Sequence, residues 1–409
     1  MSSKIILFNL NGYIGGGETI LVRYAEYLKD NNVEYSILCA FENSWIESNA
    51  WAKKLNYINW PVKNDSLIYF PDKIPHVRSY LESELKSDNA INLFTFCMRD
   101  YVNAVLLFRE SRLKINLFHG LYHPQDYEYL SSLSFDKSIY HKYFQSVIYD
   151  LYLKRGIFFV NSRTAEEAVG SNLIDNQAIL RRIPINQKID ISYSDEFVPD
   201  KKIICISRFV PFKIGAIVAF LRFARLDPEA KCTLIGHGPY EWLIKLLVRL
   251  WSIKNLAIHT EVAPDDLHTL VLENDIGYAQ GTSILEIAKY GIPVIIAPYS
   301  KLDDVFNKNF STFGIFGFVE DRFELGDLFA FEGAPEFSLA ESVQQISRNY
   351  LKYRLGTIES VKKYEATDIF GKITEDILSS SISVKRLLPI EIKPPIVKRV
   401  IRYVFDKFY

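Results

Sequence analysis

Lys202–Gly215, KIICISRFVPFKIG, decides the reading of this chain. The apolar run Ile203–Ile206 ends at Ser207, and Arg208 and Lys213 then stand five apart before Gly215. Such a run reads as a buried parallel strand, and the apolar segment beyond Gly215 as a helix, so both cations fall in the loop between them. Ligands of α/β proteins sit in loops at the carboxyl ends of parallel strands. Two fixed positive charges beside a helix N-terminus make a diphosphate site. The competing reading is two surface charges on an ordinary loop, and the remainder of the chain decides between the two.

Downstream the same alternation continues. Lys231–Ile235 is a strand ending in Gly236, His237, Gly238 and Pro239, and an amphipathic helix then runs to about Lys254. Leu256–His259 is a strand, Pro264–Leu272 a helix, and Ile276–Ala279 a strand that leads into Gln280, Gly281, Thr282 and Ser283. Glu286 lies on the helix that starts there, and Val294–Ala297 is the next strand. Thr282 and Ser283 could offer hydroxyls and backbone amides to phosphate or sugar.

Upstream, Ile179–Pro199 is broken by prolines and reads as a linker. Before it, Lys4–Asn9 is a strand, Gly12–Gly17 (GYIGGG) a glycine loop that includes Gly16 and Gly17, and Thr19–Lys29 a helix. The spacing is not G-x-G-x-x-G, so a dinucleotide cofactor is a poor match. Tyr35–Ala40, Ile91–Cys97, Lys114–His119 and Ile157–Val160 are further strands; Tyr101–Arg109, Ser138–Arg155 and Ser162–Val169, behind a serine cap, are helices. His119, at a strand's carboxyl end, is open to two readings: a donor, acid or base in a cleft, or a histidine satisfied by local backbone. The segments 45–75 and 310–337 carry no assignment.

The 409 residues leave room for two or three domains, and 48% hydrophobic with 24% charged residues is the balance of a soluble globular protein. A net charge of −1 gives no sign of a nucleic-acid partner. The four cysteines (Cys39, Cys97, Cys205, Cys232) form no C-x-x-C pair, so they read as thiols of a reducing compartment and not as a zinc site. No charged leader with a cleavable apolar segment opens the sequence and no run of eighteen apolar residues occurs, which predicts a cytoplasmic protein.

The order ISRFVPFKIG, LIGHGP and GTSILEIAKYGIPVIIA resembles the donor-binding domain of GT-B glycosyltransferases, specifically the retaining, nucleotide-sugar-dependent family 4; GYIGGGETILVRYAEYL resembles that family's glycine-rich loop and first helix. The resemblance covers roughly residues 4–298. It implies an α/β GT-B architecture: two Rossmann-like parallel-sheet domains facing across a cleft, 1–195 on the acceptor side and 196–378 on the donor side, with C-terminal helices and a tail, 379–409. It implies that Arg208 and Lys213 grip the donor diphosphate, that His119 contacts the donor sugar near the reacting carbon, and that Gly16, Gly17, Gly236, Gly238, Thr282 and Ser283 line the donor. Glu286 matches the second of the family's paired glutamates, which binds the nucleotide ribose. The first should stand eight residues earlier, where this chain has Tyr278.

The function implied is sugar transfer from a nucleotide-sugar donor to a glycan or lipid-linked acceptor in surface polysaccharide synthesis. Anomeric configuration would be retained, with no metal and no cofactor beyond the donor. Adjacent pairs Asp265-Asp266 and Asp303-Asp304 read as helix caps. Inversion ranks second, with Asp100, Glu18 or His119 as base. Two other functions share the fold: a non-catalytic glycosyltransferase-like subunit that binds glycan or a second enzyme, which Tyr278 keeps open and Arg208, Lys213 and Glu286 argue against, and a nucleotide-sugar epimerase. The tail IVKRVIRYVFDKFY would form a basic amphipathic helix, either anchoring residues 393–409 on an anionic membrane surface or packing back on the protein.

Overall fold

The computed structural model describes residues 4–10, 16–39, 54–62, 67, 70–86, 89–122, 137–170, 178–185, 199–211, 213–260, 262, 264–298, 312–319 and 338–387. The inner strands of each of its two sheets are short apolar runs largely buried on both faces, as parallel sheets flanked by helices require, while one edge strand of each sheet is partly exposed.

The first sheet has the order β3-β2-β1-β4-β5-β6: β1 (Ile5–Asn9), β2 (Tyr35–Cys39), β3 (Tyr57–Asn59), β4 (Ile91–Thr95), β5 (Ile115–Leu121) and β6 (Ile157–Phe159), all parallel. Alternate residues such as Phe8, Leu93, Leu117 and Phe159 join one core with α2 (Ile74–Glu84), α3 (Met98–Phe108), α4 (Lys137–Leu153) and α5 (Ser162–Val169). The other face turns Phe94 edge-on to Tyr24 of α1 (Gly16–Asp30). Asn161 caps α5, its side chain accepting from Thr164 N at 2.8 Å; Ser162, expected as the cap, is the first helical residue.

The second sheet has the order β12-β11-β10-β7-β8-β9: β7 (Lys202–Ile206), β8 (Lys231–Ile235), β9 (Leu256–His259), β10 (Ile276–Ala279) and β11 (Val294–Ile296) are parallel, and β12 (Gly314–Ile315) is antiparallel on β11. Its helices are α6 (Ile214–Leu226), α7 (Glu241–Leu250), α8 (Pro264–Leu272), α9 (Thr282–Ala288), α10 (Leu339–Arg348) and α11 (Tyr350–Lys362). Ile217 and Phe220 of α6 and Val343 and Ile346 of α10 pack on Cys205, Tyr278 and Ile295 of the strands.

The compact units are 1–184 with 366–409, and 185–365. The domain limits expected at 195/196 and 378 therefore shift, because α12 (Ala366–Ser379) packs on the first sheet. Phe370 stacks on Tyr24 at 4.9 Å, Tyr24 and Thr374 hydroxyls lie 3.0 Å apart, and Arg181 grips Asp376 through two bonds of 2.7 and 2.9 Å. The chain then runs beside β5, where Leu117 N donates to Ile382 O at 2.9 Å. The tail 393–409 lies outside the described residues. Among the described residues no helix is long and apolar enough to cross a membrane.

Candidate functional site

Strands β8, β7 and β10 are neighbours in the second sheet and release their parallel carboxyl ends side by side. The segments that follow β7 and β8 are joined directly: Phe209 N donates to His237 O at 2.9 Å, and Tyr240 N to Phe209 O at 3.1 Å. Two glycines permit this approach. Gly236 and Gly238 have φ of +156° and +146°, and an added Cβ would lie 1.8 Å from Ser207 O at the first and 2.7 Å from Phe209 O at the second. Their first task is thus to let two loops meet; the Gly236 amide is already engaged, donating to His259 O at 3.0 Å, which leaves the Gly238 amide, at the same sheet end as Arg208, as the candidate for a phosphate.

Arg208 is exposed, as a ligand-gripping cation must be. Lys213 departs from the expected open position: it is 7% exposed. It is the N-cap residue of α6, its N–H bonding Val210 O at 3.0 Å, and its ammonium offsets part of the rise that burial gives the Cys205 thiol. The side chain therefore turns in towards β7, and of the pair only Arg208 is exposed. Burial likewise lifts the Cys232 thiol to about 12, so both are inert as nucleophiles.

Only Gln280 and Gly281 link β10 to α9. Thr282 and Ser283 open that helix, part-exposed, and Glu286 follows one turn on, also part-exposed. Lys289, which sequence reasoning missed, is 8% exposed and places Nζ 2.5 Å from Glu286 Oε2 and 5.0 Å from the Tyr290 ring centre. The i,i+3 spacing of Glu286 and Lys289 was the available signal. The position eight before Glu286 is inside β10, where Tyr278 is wholly buried and stacked on Phe220 at 5.9 Å. No loop exists at that point to carry a second glutamate.

In the first unit Gly16 and Gly17 are the opening residues of α1; residues 11–15 of the glycine loop lie outside the described residues. The helix begins three residues earlier than the expected Thr19. His119 is not at its strand's end, because β5 continues through Leu121, and the imidazole is fully buried. Its Nδ1 lies 2.8 Å from Thr95 Oγ1 on the paired strand, and Tyr101 stands edge-on at 5.8 Å. Burial holds its pKa down to about 3, so the ring is neutral and is no acid or base for neutral-pH chemistry. Its buried Nε2 has no hydrogen-bond partner among the described residues. Asp100, the alternative base, is also buried: its Oδ1 accepts from Leu10 N at 3.0 Å and its Oδ2 from the Cys97 thiol at 3.1 Å, which ties the end of β1 to the start of α3. The side chain of Glu18 lies outside the described residues.

No protein-family model and no curated protein sequence matches the chain. Solved structures do. A glycosyltransferase from Rickettsia africae ESF-5 superposes with a TM-score of 0.62 at 13% identity, over 93% of this chain and all of the other. The fold is GT-B. The S. aureus protein TarM, in a complex that holds UDP, shares the GT-B fold at a TM-score of 0.57 and 11% identity, over 92% of this chain and all of TarM. A Listeria monocytogenes protein described as a UDP-N-acetylglucosamine 2-epimerase has it too, at 0.57 and 10% identity, over 93% of this chain and 96% of its own. At such identities the shared GT-B architecture is what the likeness establishes.

Proposed function

We propose that the chain is a glycosyltransferase that moves a sugar from a nucleotide-sugar donor to a glycan or lipid-linked acceptor in surface polysaccharide synthesis, with retention and without a metal ion, as in family 4. The observation that carries this reading is that Arg208, Gly236, Gly238, Thr282, Ser283 and Glu286 all follow the carboxyl ends of three adjacent parallel strands of the second unit. Cleaving a nucleotide sugar leaves a diphosphate whose charge must be stabilised as it develops, and preorganised cations and amides make the largest contribution to that. Arg208 supplies the exposed charge, Lys213 adds a fixed positive potential from beneath the loop, and Glu286, oriented by Lys289, is placed to accept hydrogen bonds from ribose hydroxyls.

Retention suits the first unit as well. A leaving phosphate that itself takes the acceptor's proton needs no separate protein base, and His119 and Asp100 are both enclosed and engaged. We place the protein in the cytoplasm, at the inner membrane face, with residues 393–409 on anionic lipid.

Tyr278 supports a second reading, a GT-B subunit that binds a partner or glycan without catalysis. Melting temperature against UDP, GDP, ADP, CMP and their sugar conjugates separates the two. A nucleotide at a hundred times its Kd stabilises by about 2.7 kcal/mol. We expect one nucleotide to do so and to lose its effect in Arg208→Ala, which keeps the wild-type melting temperature because Arg208 is exposed. Equal stabilisation of wild type and variant would displace the site from β7; no stabilisation by any nucleotide would favour the non-catalytic reading.

A further inference from the structure

Helix α7, EWLIKLLVRL, is apolar around most of its circumference, yet Ile244 is its one fully buried residue. Trp242, Leu246 and Leu250, spaced i, i+4, i+8 on one face, are 64%, 42% and 66% exposed. Lys245 and Arg249, both exposed, flank that row. The helix has one acid, Glu241, and its carboxylate is 2.6 Å from Lys245 Nζ. At the C-terminal end the Arg225 guanidinium stands 6.0 Å from the ring of Trp251, and beside Arg225 the last residue of α6, Leu226, is 81% exposed. The outer side of α7 is thus a tryptophan and two leucines with cations along one edge and a further leucine and arginine at its end. Three large apolar side chains exposed along one helix face, with a fourth at its end, mark a contact surface.

We propose that this face of the second unit lies in the surface of an anionic bilayer. A helix with tryptophan and leucine on one side and Lys/Arg beside them seats its apolar side chains at the headgroup boundary while the cations meet the lipid charge. A second copy of the chain is the poorer occupant. A two-fold contact sets the same net-positive patch, with Lys245, Arg249 and Arg225 to the single Glu241, against its own copy, where like charge opposes it. The proposal depends neither on the enzyme reading nor on residues 393–409.

The test is cosedimentation of the full chain with phosphatidylcholine vesicles, with and without phosphatidylglycerol. Wild type should bind the anionic vesicles. Trp242→Ser with Leu246→Ser should lower partitioning roughly tenfold or more, and Lys245→Gln with Arg249→Gln should lower it by a similar factor on anionic vesicles alone, more weakly at high salt. Melting temperatures should stay at the wild-type value, since all four side chains are exposed. Absence of wild-type binding overturns the proposal, as does unchanged binding by both double variants. Loss of binding on deleting 393–409 while the α7 variants bind normally assigns the membrane contact to the tail and overturns it too. A dimer in sedimentation velocity that Trp242→Ser with Leu246→Ser dissociates, with no vesicle binding, gives the face to a second copy.

Discussion

At the scale of single residues, burial separates side chains that look alike in sequence. Arg208 and Lys213 read as an equal pair because a polar break after an apolar run marks a strand's end, but sequence does not say which side of the following loop a side chain takes. Lys213 went inward, so Lys213→Ala should weaken the fold as well as any ligand binding, and Arg208→Ala is the cleaner probe. His119 was misplaced for a related reason: Gly120 looks like a turn, while β5 in fact continues past it beneath an aromatic layer. That burial has a measurable sign. The folded pKa of about 3 is below the unfolded value of about 6.5, so the unfolded chain binds the extra proton between them and stability falls as pH drops through that window. His119 alone should contribute a slope of about 1.4 kcal/mol per pH unit there. Urea unfolding of the first unit from pH 6.5 downward should show it, and His119→Gln should flatten the curve; an equal slope in the variant would assign the acid sensitivity to other groups. Glu286 offers a further check through its companion. Lys289→Met should cost roughly tenfold in affinity for the stabilising nucleotide, the size of one charged hydrogen bond's orientation, and Lys289→Arg should restore most of it. Unchanged affinity in Lys289→Met would mean that Glu286 is positioned by its helix alone.

At the scale of elements, the strands were the legible part, because parallel strands covered on both faces are near-continuous apolar runs such as IILFN and KIICI. Strands β3 and β12 were not. YIN and GI are too short to carry a pattern, and their conformation comes from pairing with β2 and β11. The β7 and β8 loops were recognised by their residues, but their mutual hydrogen bonding was invisible, since a backbone contact leaves no side-chain signature except the glycines. Gly236→Ala tests that contact. With a Cβ forced 1.8 Å from Ser207 O, the variant should lose about 2 kcal/mol or more of stability and its nucleotide response together. A variant as stable as wild type would mean that the two loops yield without cost.

At the scale of the whole molecule, alternation of strand and helix gave the α/β class and the two sheets, and a proline-broken segment marked the passage between them. The return of α12 to the first sheet was hidden, because its apolar face fits either sheet equally well by pattern. Tyr24, Thr374, Arg181 and Asp376 decide the matter through contacts some 195 to 350 residues apart in the chain. A chain cut after residue 184 should therefore be insoluble or molten by near-UV circular dichroism, whereas 185–365 should unfold cooperatively by itself; a cooperative 1–184 fragment would show α12 to be dispensable. The same discontinuity sets an order of events during synthesis. The strands of the first unit are synthesised before the second unit, but α12, which packs on them, is made only after the entire second unit has emerged. The later-made unit is thus the earlier to be complete, and the amino-terminal sheet must wait with the outer face of Tyr24 and the strands β4 and β5 without their α12 cover, an interval in which a chaperone has a defined surface to hold.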